Sequence, residues 1–243
     1  MVKAAVVAKT TKRSTGGGVR NAEDTKARIL RAARVEFARH GYSGGRIDRI
    51  AKRFRSNIRL IYHYFGKKDQ LYLAVLEDIY SDVRNQEEAL DLRHLDPVEG
   101  MTRLVNLTFE YLRENPEFVR IVANENLLMG KFLRKSRLVP EKTAPLTNAL
   151  YDLLKRGQRD GVFHRKIDPV QLYVTILAQC FIHISNVHTL SIMFGRDLSD
   201  PRWQKKRQKH VVDLILTYLT VDTPKRPCSR PLRRSERSVT RAY

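Results

Sequence analysis

Side chains able to bind a nucleic acid are concentrated between residues 46 and 68. Guanidinium and amide groups can pair with base edges, while hydroxyl, imidazole and ammonium groups can donate to phosphates. Arg59 is the first candidate for a base contact, because its forked guanidinium can bond both acceptors of a guanine. Asn57 and His63 can contact bases or phosphates. The complete set of predicted contact residues is Arg46, Arg55, Asn57, Ile58, Arg59, Tyr62, His63 and Lys68.

A plainer interpretation of the same stretch stays open. Tyr62 or Tyr64 can pack into a small core, and the charged residues can form a solvated face. If they do bind, Tyr62, Lys68 and Arg46 fit phosphates better than bases, and phosphate contacts give affinity without sequence preference.

A second group of polar residues interrupts apolar stretches farther along the chain. Thr175, Gln179, His183 and Asn186 are spaced four, four and three residues apart, so they share one face of a helix. A few inward polar groups in an apolar wall are what a small-molecule cavity needs. The alternative is that these groups bond each other across helices or mark a contact between subunits. The predicted ligand contacts are Thr108, Glu125, Thr175, Gln179, His183 and Asn186.

The sequence groups no residues into a catalytic or metal site. It has no Ser/His/Asp or Cys/His arrangement, no metal-ligand spacing and no glycine-rich phosphate loop, which predicts a protein that is not an enzyme and holds no metal or cofactor. A helical enzyme using Glu125 and His183 as acid and base lacks a recognisable grouping. Cys180 and Cys228 lack CxxC spacing, which predicts a reducing cytoplasm and a buried structural Cys180. No continuous apolar run reaches the length of a membrane span.

The positive charge is unevenly distributed. The net charge is +20 and the pI is about 10.2, values typical of chains that meet a polyanion. Residues 21–66 hold eleven Lys and Arg against four acids, whereas residues 67–221 hold 23 against 20. Residues 1–20 and 222–243 are also strongly basic. A basic head on a nearly balanced body indicates that the head binds the polyanion.

Apolar periodicity and helix-stopping glycines predict an all-α fold of nine helices, three in an N-terminal helix-turn-helix head and six in the body. The first helix runs from about Asn21 to His40, where Gly41 ends it. A single apolar helix is predicted from Pro169 to about Phe194. The predicted division is a disordered basic arm over 1–20, a helix-turn-helix domain over 21–66, a ligand-sensing and dimerisation domain over 67–221, and a disordered basic tail over 222–243.

Several residues of the head recur at a family's spacing over about 50 positions. They are Phe37-Ala38, Gly41-Tyr42, Ile47, Ile50-Ala51, the run from Ile61 to Phe65, Lys68 and Leu71. In type and order they resemble the DNA-binding head of TetR-family repressors. The resemblance supports Tyr62, His63 and Lys68 as DNA contacts.

The body resembles a subgroup of that family less closely. Four stretches are similar to the ligand-sensing half of regulators of the pyrimidine-utilisation type: Asn115–Phe118, Glu125–Leu127, Asp168-Pro169 with Leu172-Tyr173, and Ser185-Asn186 through Phe194–Leu198. That likeness implies a small-molecule effector, with a small polar ring as the working guess.

The turn between the two helices of the motif departs from the family. It reads Phe54-Arg55-Ser56-Asn57 where the family has Ala-Gly-Val-Ser or Ala-Gly-Val-Asn. If the glycine position has a positive φ, an arginine there costs about 1 kcal/mol or more. Asn57 can still cap the second helix. We expect the fold of the head to be kept and its base preference to be altered.

One helix-turn-helix makes few contacts, so dimers that read two half-sites are the common solution. The resemblance implies that the last two helices pair with their symmetry mates, through Trp203, Val211, Leu214, Ile215 and Tyr218. The alternative is that both helices are core of a monomer.

The predicted function is a cytoplasmic, nucleoid-associated transcriptional regulator, a repressor. It binds a palindromic double-stranded DNA operator as a homodimer, is modulated by a small-molecule effector and does not contact a membrane. The alternative is a sequence-tolerant architectural DNA-binding protein without an effector, which would show a steep salt dependence.

Overall fold

The computed structural model of the protein describes residues 16–222, and every regular element in that range is helical. Three helices form the head and seven form the body, with a 3₁₀ turn at Leu133–Lys135. The elements are α1 Gly16–Gly44, α2 Ile47–Arg53, α3 Ile58–Phe65, α4 Lys68–Glu88, α5 Pro97–Glu114, α6 Pro116–Leu127, α7 Leu138–Arg159, α8 Pro169–Ser185, α9 Val187–Met193 and α10 Pro201–Thr220.

The all-α prediction is confirmed, and two predicted boundaries change. Helix α1 begins at Gly16 rather than at Asn21, so residues 16–20 of the predicted arm are helical. The rest of that arm and the predicted tail beyond residue 222 lie outside the described residues. The predicted break at Gly41 is present as a kink, since Gly41 has φ 64° and ψ −178° inside α1.

The predicted single helix from Pro169 to Phe194 is wrong, because it is two helices. Helices α8 and α9 meet at an angle of 74° after Ser185. At the junction the Asn186 side chain donates to the Ile182 carbonyl and to the Ser185 hydroxyl. A short polar side chain that bonds its own backbone competes with helix continuation, which is the physical reason for the break. The body therefore has seven α-helices among the described residues instead of six.

Proline and aspartate together start three of the body's helices. Pro97, Pro169 and Pro201 occupy the first turn, where a missing N–H costs nothing. The preceding residues, Asp96, Asp168 and Asp200, each accept a hydrogen bond from a backbone N–H of that turn.

Helix α4 connects the head to the body. Its buried face begins with Leu71 and Val75, packs against α1 and continues through Ile79 and Val83 into the body. The buried apolar residues of head and body form one continuous cluster, so a tilt of α4 would be felt at both ends. No single helix in residues 16–222 is long and apolar enough to cross a membrane, and the bent pair α8–α9 passes that test only jointly, by length and composition.

Candidate DNA-binding surface and ligand cavity

The two helices of the motif are held by a small apolar core. Ile50 of α2 and Ile61 of α3 are fully buried, and Phe37 of α1 closes the core behind them. The turn between α2 and α3 is fixed by the Arg28 guanidinium, which donates to the Phe54 carbonyl at 3.1 Å.

One face of α3 carries polar side chains directed to solvent. Tyr62 is 48% exposed, and Arg59 and His63 are exposed beside it. Tyr64, in contrast, is half-buried against the core. The packing alternative therefore describes Tyr64 and not Tyr62. Other predicted contact residues at this surface are also exposed, namely Arg46, Arg55, Asn57 and Ile58.

The unusual turn has the strained backbone that its sequence predicts. Arg55 has φ 57° and takes the left-handed position that a glycine favours. The Arg55 N–H donates to the Lys52 carbonyl and the Ser56 N–H donates to the Ala51 carbonyl, which closes the end of α2. The Asn57 side chain accepts a hydrogen bond from the Arg59 N–H at 2.9 Å. The capping prediction is confirmed, and α3 starts in a defined orientation.

A buried carboxylate positions the start of α2. Glu36 accepts from the Arg46 N–H at 3.0 Å and from Arg49 Nε at 2.6 Å. Burial works to raise the pKa of Glu36, but the hydrogen bonds from Arg49 and Arg46 outweigh it and hold the pKa below its usual value. Glu36 is therefore ionised at neutral pH and holds α2 against α1.

Lys68, a predicted phosphate contact, has partners of its own at the start of α4. Its ammonium lies 3.3 Å from the Ser43 carbonyl and 4.6 Å from the centre of the Tyr42 ring. Burial is the main cause that lowers the pKa of Lys68. The Tyr42 hydroxyl donates to Asp69, and burial together with that carboxylate raises the pKa of Tyr42 to about 12.

The joint between head and body lies at the kink in α1. Asn124 of α6 accepts a hydrogen bond from the Tyr42 N–H at 2.9 Å. Phe132, which follows α6, packs on the rings of Tyr42 and Tyr72 at centroid distances of 4.4 and 5.0 Å. A Cβ atom at Gly41 would lie 2.6 Å from Asn124 Nδ2, and the backbone conformation of φ 64° and ψ −178° is one that essentially only glycine adopts, so this joint favours a glycine.

The body contains a largely apolar cavity of about 330 Å³ between α4, α5, α6 and α8. Val174 and Ala178 line it and are exposed, so the cavity opens to solvent beside α8. Of the six predicted ligand contacts, only Thr108 lines this cavity. Its walls are formed by Tyr80, Val83, Arg84, Thr108, Tyr111, Leu112, Phe118, Val122, Tyr173, Val174, Leu177, Ala178 and Phe181.

The cavity's charged residue was missed by the sequence analysis. Arg84 donates to the Glu87 carboxylate and, at 3.1 Å, to the Tyr173 hydroxyl. Burial and the neighbouring Glu87 raise the pKa of Tyr173, and burial also raises the pKa of Glu87. The i,i+3 spacing of Arg84 and Glu87 was the available signal, but such pairs are usually solvated.

Glu125 is not brought to the cavity, contrary to its prediction as a ligand contact. Its Oε1 accepts hydrogen bonds from the backbone N–H groups of Phe132 and Leu133, at 2.7 and 2.9 Å. The carboxylate thus holds the chain segment after α6 in place. The carboxylate of Glu125 points into the body, as predicted, but it bonds backbone N–H groups and not a ligand.

The four polar residues of α8 and its end are likewise not cavity residues. His183 bonds Gln204 at 3.2 Å, and Gln179 accepts from Arg207 at 2.8 Å, so this face packs against α10. The other two, Thr175 and Asn186, are exposed and bond carbonyls within their own helix. The alternative, in which buried polar groups bond each other across helices, describes Gln179 and His183.

The predicted subunit-contact residues of α10 fall on two faces. Val211 and Ile215 are buried within the chain itself, so they cannot contact a partner directly and the prediction is corrected for these two. Leu214 and Tyr218 are each 42% exposed. Trp203 is half-buried near His183. Cys180 is buried as predicted, and burial raises the pKa of its thiol to about 12.

Among the described residues, no group of three or more His, Cys, Asp or Glu side chains could hold a metal ion.

The exposed recognition helix and the helical body with its apolar cavity define the class, a helix-turn-helix regulator with a ligand-binding body. Residues 29–75 match the model for bacterial regulatory proteins of the tetR family, and residues 97–215 match a tetracyclin repressor-like C-terminal domain. The chain belongs to the TetR family of transcriptional regulators.

The relatives agree with this assignment. The chain is 36% identical over 207 residues to the HTH-type transcriptional repressor NicS of Pseudomonas putida, covering 85% of this chain and 98% of that protein. It is 40% identical over 113 residues to the repressor SCO4008 of Streptomyces coelicolor, covering 46% and 54% of the two chains. The crystal structure of SCO4942 from Streptomyces coelicolor is similar, with a TM-score of 0.59 and 26% identity, covering 80% of this chain and 98% of that one.

Proposed function

We propose that this chain represses transcription by binding a palindromic DNA operator as a homodimer, and that a small molecule bound in the body changes its affinity for DNA. The observation that carries the proposal is the exposed polar face of α3, set on a buried core and started by the Asn57 cap. NicS and SCO4008 are named as repressors, which supports the same role here.

Each exposed residue of the head takes a role that fits its chemistry. Arg59 reads a guanine edge, and Asn57 and His63 contact bases or phosphates beside it. The phosphate contacts are Arg46, Arg55, Tyr62 and Lys68, with Ile58 placed for apolar contact in the groove. Lys68 must give up its contacts with Ser43 and Tyr42, or share them, to reach a phosphate.

The dimer forms through the exposed apolar faces of α8 and α10. Val174 and Ile182 of α8 are about half exposed, as are Leu214 and Tyr218 of α10. Large apolar side chains that follow one another along two packed helices are typical of a subunit interface. Two heads held in this way would meet successive major grooves one helical turn apart.

The effector acts by shifting the equilibrium between dimer conformations that differ in the distance between their two DNA-binding heads. Helix α4 carries Leu71 beside the head and Arg84 at the cavity, and α6 carries Val122 at the cavity and Asn124 at the joint. A ligand that prefers one tilt of these helices changes DNA affinity by no more than its preference between the two states.

Two rival functions are less well supported. An architectural DNA-binding protein would need neither a cavity nor a recognition helix of defined orientation. An enzyme using Glu125 and His183 would need both groups accessible, whereas both are bonded inside the body. Relatives that are named as regulators favour a regulator, which would work in the cytoplasm at the nucleoid.

The test is selection of DNA from a random pool by the full chain, followed by the same selection with Arg59→Ala. We expect a palindromic motif for the unchanged chain, and for the variant a loss of preference at one position of each half-site, worth about tenfold in affinity. Arg103→Ala is the matched control, since Arg103 is an exposed arginine of α5 paired with Glu99.

Three outcomes would contradict parts of this proposal. No enrichment over random sequence supports the architectural alternative, and a monomer mass in solution at micromolar concentration contradicts the dimer. An unchanged motif and affinity for Arg59→Ala remove Arg59 from base contact.

A further inference from the structure

The apolar cavity contains a single charged side chain, and that side chain is only partly bonded. The Arg84 side chain is 9% exposed. Its Nη1 atom donates to Glu87 and to the Tyr173 hydroxyl. Its Nε atom is buried and has no hydrogen-bond partner, and Nη2 takes part in no hydrogen bond within residues 16–222. A buried guanidinium with an open edge is costly unless something binds there.

The open edge has the geometry of a carboxylate site. The Nε and Nη2 atoms of a guanidinium lie in one plane and donate in parallel, which matches the two oxygens of a carboxylate. A neutral carbonyl ligand can accept only one of these bonds well. The edge therefore distinguishes an acid from its amide.

Two of the other polar groups of the wall already have partners, whereas the hydroxyl of Tyr80, also in the wall, makes no hydrogen bond within residues 16–222. The Thr108 hydroxyl donates to the Leu104 carbonyl at 2.8 Å, and the Tyr111 hydroxyl lies 3.1 Å from Asp82. The remaining wall is aliphatic and aromatic, with Leu112, Phe118 and others. A matching ligand thus has an apolar body and one anionic group, with at most one further polar group, because the Tyr80 hydroxyl is the remaining unbonded polar group among the described wall residues.

The negative charge of Glu87 is compatible with an anionic ligand. Glu87 does not line this cavity but, together with Arg84, lines a neighbouring pocket that also contains Glu88 and Asp91, and its other oxygen accepts from the Tyr173 hydroxyl at 2.7 Å. Since burial raises the pKa of Glu87 above its usual value, this carboxyl takes up a proton more readily than an exposed one when an anion joins Arg84.

We propose that the cavity binds a small apolar carboxylate, an aromatic or short-chain monocarboxylic acid, through the Nε and Nη2 edge of Arg84. This inference rests on the proposed effector role and names its chemical class. It differs from the small polar ring expected at the sequence level, because the wall offers an apolar surface and one cationic edge.

The test is calorimetric titration of the full chain with benzoate and octanoate, each compared with its neutral amide. We expect at least one of the two acids to bind, and each acid that binds to do so about tenfold or more tightly than its amide. The double variant Arg84→Gln/Glu87→Gln removes both charges together, so that no buried carboxylate is left unpaired, and should abolish the preference. The single variant Glu87→Gln keeps Arg84 and should retain it.

Three results would overturn the proposal: equal affinity for acids and amides, a preference that survives in the double variant, or no binding of either acid at millimolar concentration. Thermal unfolding of each variant shows whether it is folded.

The results that contradict the proposed function differ from those that contradict this site. An acid that binds Arg84 but leaves operator affinity unchanged keeps this site and contradicts its effector role, whereas release of the operator by neutral molecules alone keeps the function and contradicts this site.

Discussion

In the head, Arg59, Tyr62 and His63 of α3 are exposed and their side chains make no hydrogen bond within residues 16–222, whereas in the body Glu125 of α6 and His183 of α8 are buried and bonded to neighbouring groups. Arg59 and His63 stand on one outward face, but Glu125 holds backbone and His183 holds Gln204. Polar side chains are thus free to bind a partner in one region and hold the structure in the other. Replacing one residue of each kind separates the two uses, because the first should change DNA affinity and the second stability.

The largest expected effect is in the body, for Glu125→Ala. The substitution leaves two backbone N–H groups, of Phe132 and Leu133, without their acceptor. Each unpaired buried donor costs about 1–3 kcal/mol, so we expect the free energy of unfolding to fall by about 3 kcal/mol, measured by urea denaturation. Glu125→Gln keeps an acceptor oxygen and should lose less.

The control is Glu114→Ala, since Glu114 is exposed at the end of α5 and, among the residues that the structure describes, pairs with its neighbour Arg113 alone. Exposed pairs contribute little. If Glu125→Ala and Glu114→Ala destabilise equally, Glu125 is not a structural residue and the contrast between head and body is wrong at this position.

The second effect concerns the joint between the two regions. Gly41→Ala forces a side chain into a backbone conformation of φ 64° and towards Asn124 at 2.6 Å. We expect a loss of between about 2 and 3 kcal/mol of unfolding free energy. Gly130→Ala is matched, because Gly130 also has a positive φ of 67° but nothing within 4 Å; it should lose only about 1 kcal/mol. Equal losses would mean that neither the contact with Asn124 nor the ψ of −178° at Gly41 adds to the cost.

The head could be predicted from its sequence because its signals are local. Ile50, Ala51 and Ile61 mark the core, and Asn57 marks the start of α3 within a few residues of the side chains it positions. The break after α8 could not be predicted in this way. The chain from Val170 to Phe194 contains no glycine or proline, and the break depends on how one asparagine bonds back to its helix.

The cavity depends on contacts that no local pattern contains. Arg84 is a charged residue on a two-faced helix, which predicts exposure. It is buried because Tyr173, 89 residues away, meets it from α8. Its open Nε–Nη2 edge can be recognised only once the partners of its other nitrogen are known.

The third effect is a pH dependence that begins in the body. Burial is the main cause that lowers the pKa of His183 to about 4, with the charge of Arg207 acting in the same direction. An unfolded histidine titrates near 6.5, so between about pH 6.5 and 4 the unfolded chain binds a proton that the folded chain does not. The folded state therefore loses stability as the pH falls, by about 2 kcal/mol at pH 5 relative to pH 7.

Two controls test this assignment, one in the head and one at a second histidine. Glu36 in the head has a lowered pKa, so its contribution is present above about pH 4.5 and is lost only below it. Unfolding curves from pH 7 to 5 should be flatter for His183→Gln than for the unchanged chain. His188→Gln, at an exposed position beyond α8, should keep the original slope. An unchanged slope in His183→Gln contradicts the assignment.

The smallest effect compares two strained residues, one in each region. Arg55 and Met129 have φ of 57° and 58°, where a glycine is preferred. Arg55→Gly and Met129→Gly should each raise the free energy of unfolding by about 1 kcal/mol, since relief of strain exceeds the added freedom of the unfolded chain.

Their effects on DNA binding should differ. Loss of a phosphate contact at Arg55 weakens binding at all sequences and lowers the slope of log affinity against log salt by about one, which filter binding at several salt concentrations measures. Met129→Gly should leave the affinity and slope unchanged. If Arg55→Gly leaves DNA affinity and salt slope unchanged, as Met129→Gly should, Arg55 does not contact a phosphate. The DNA contacts of the head would then come from α3 and not from the turn before it.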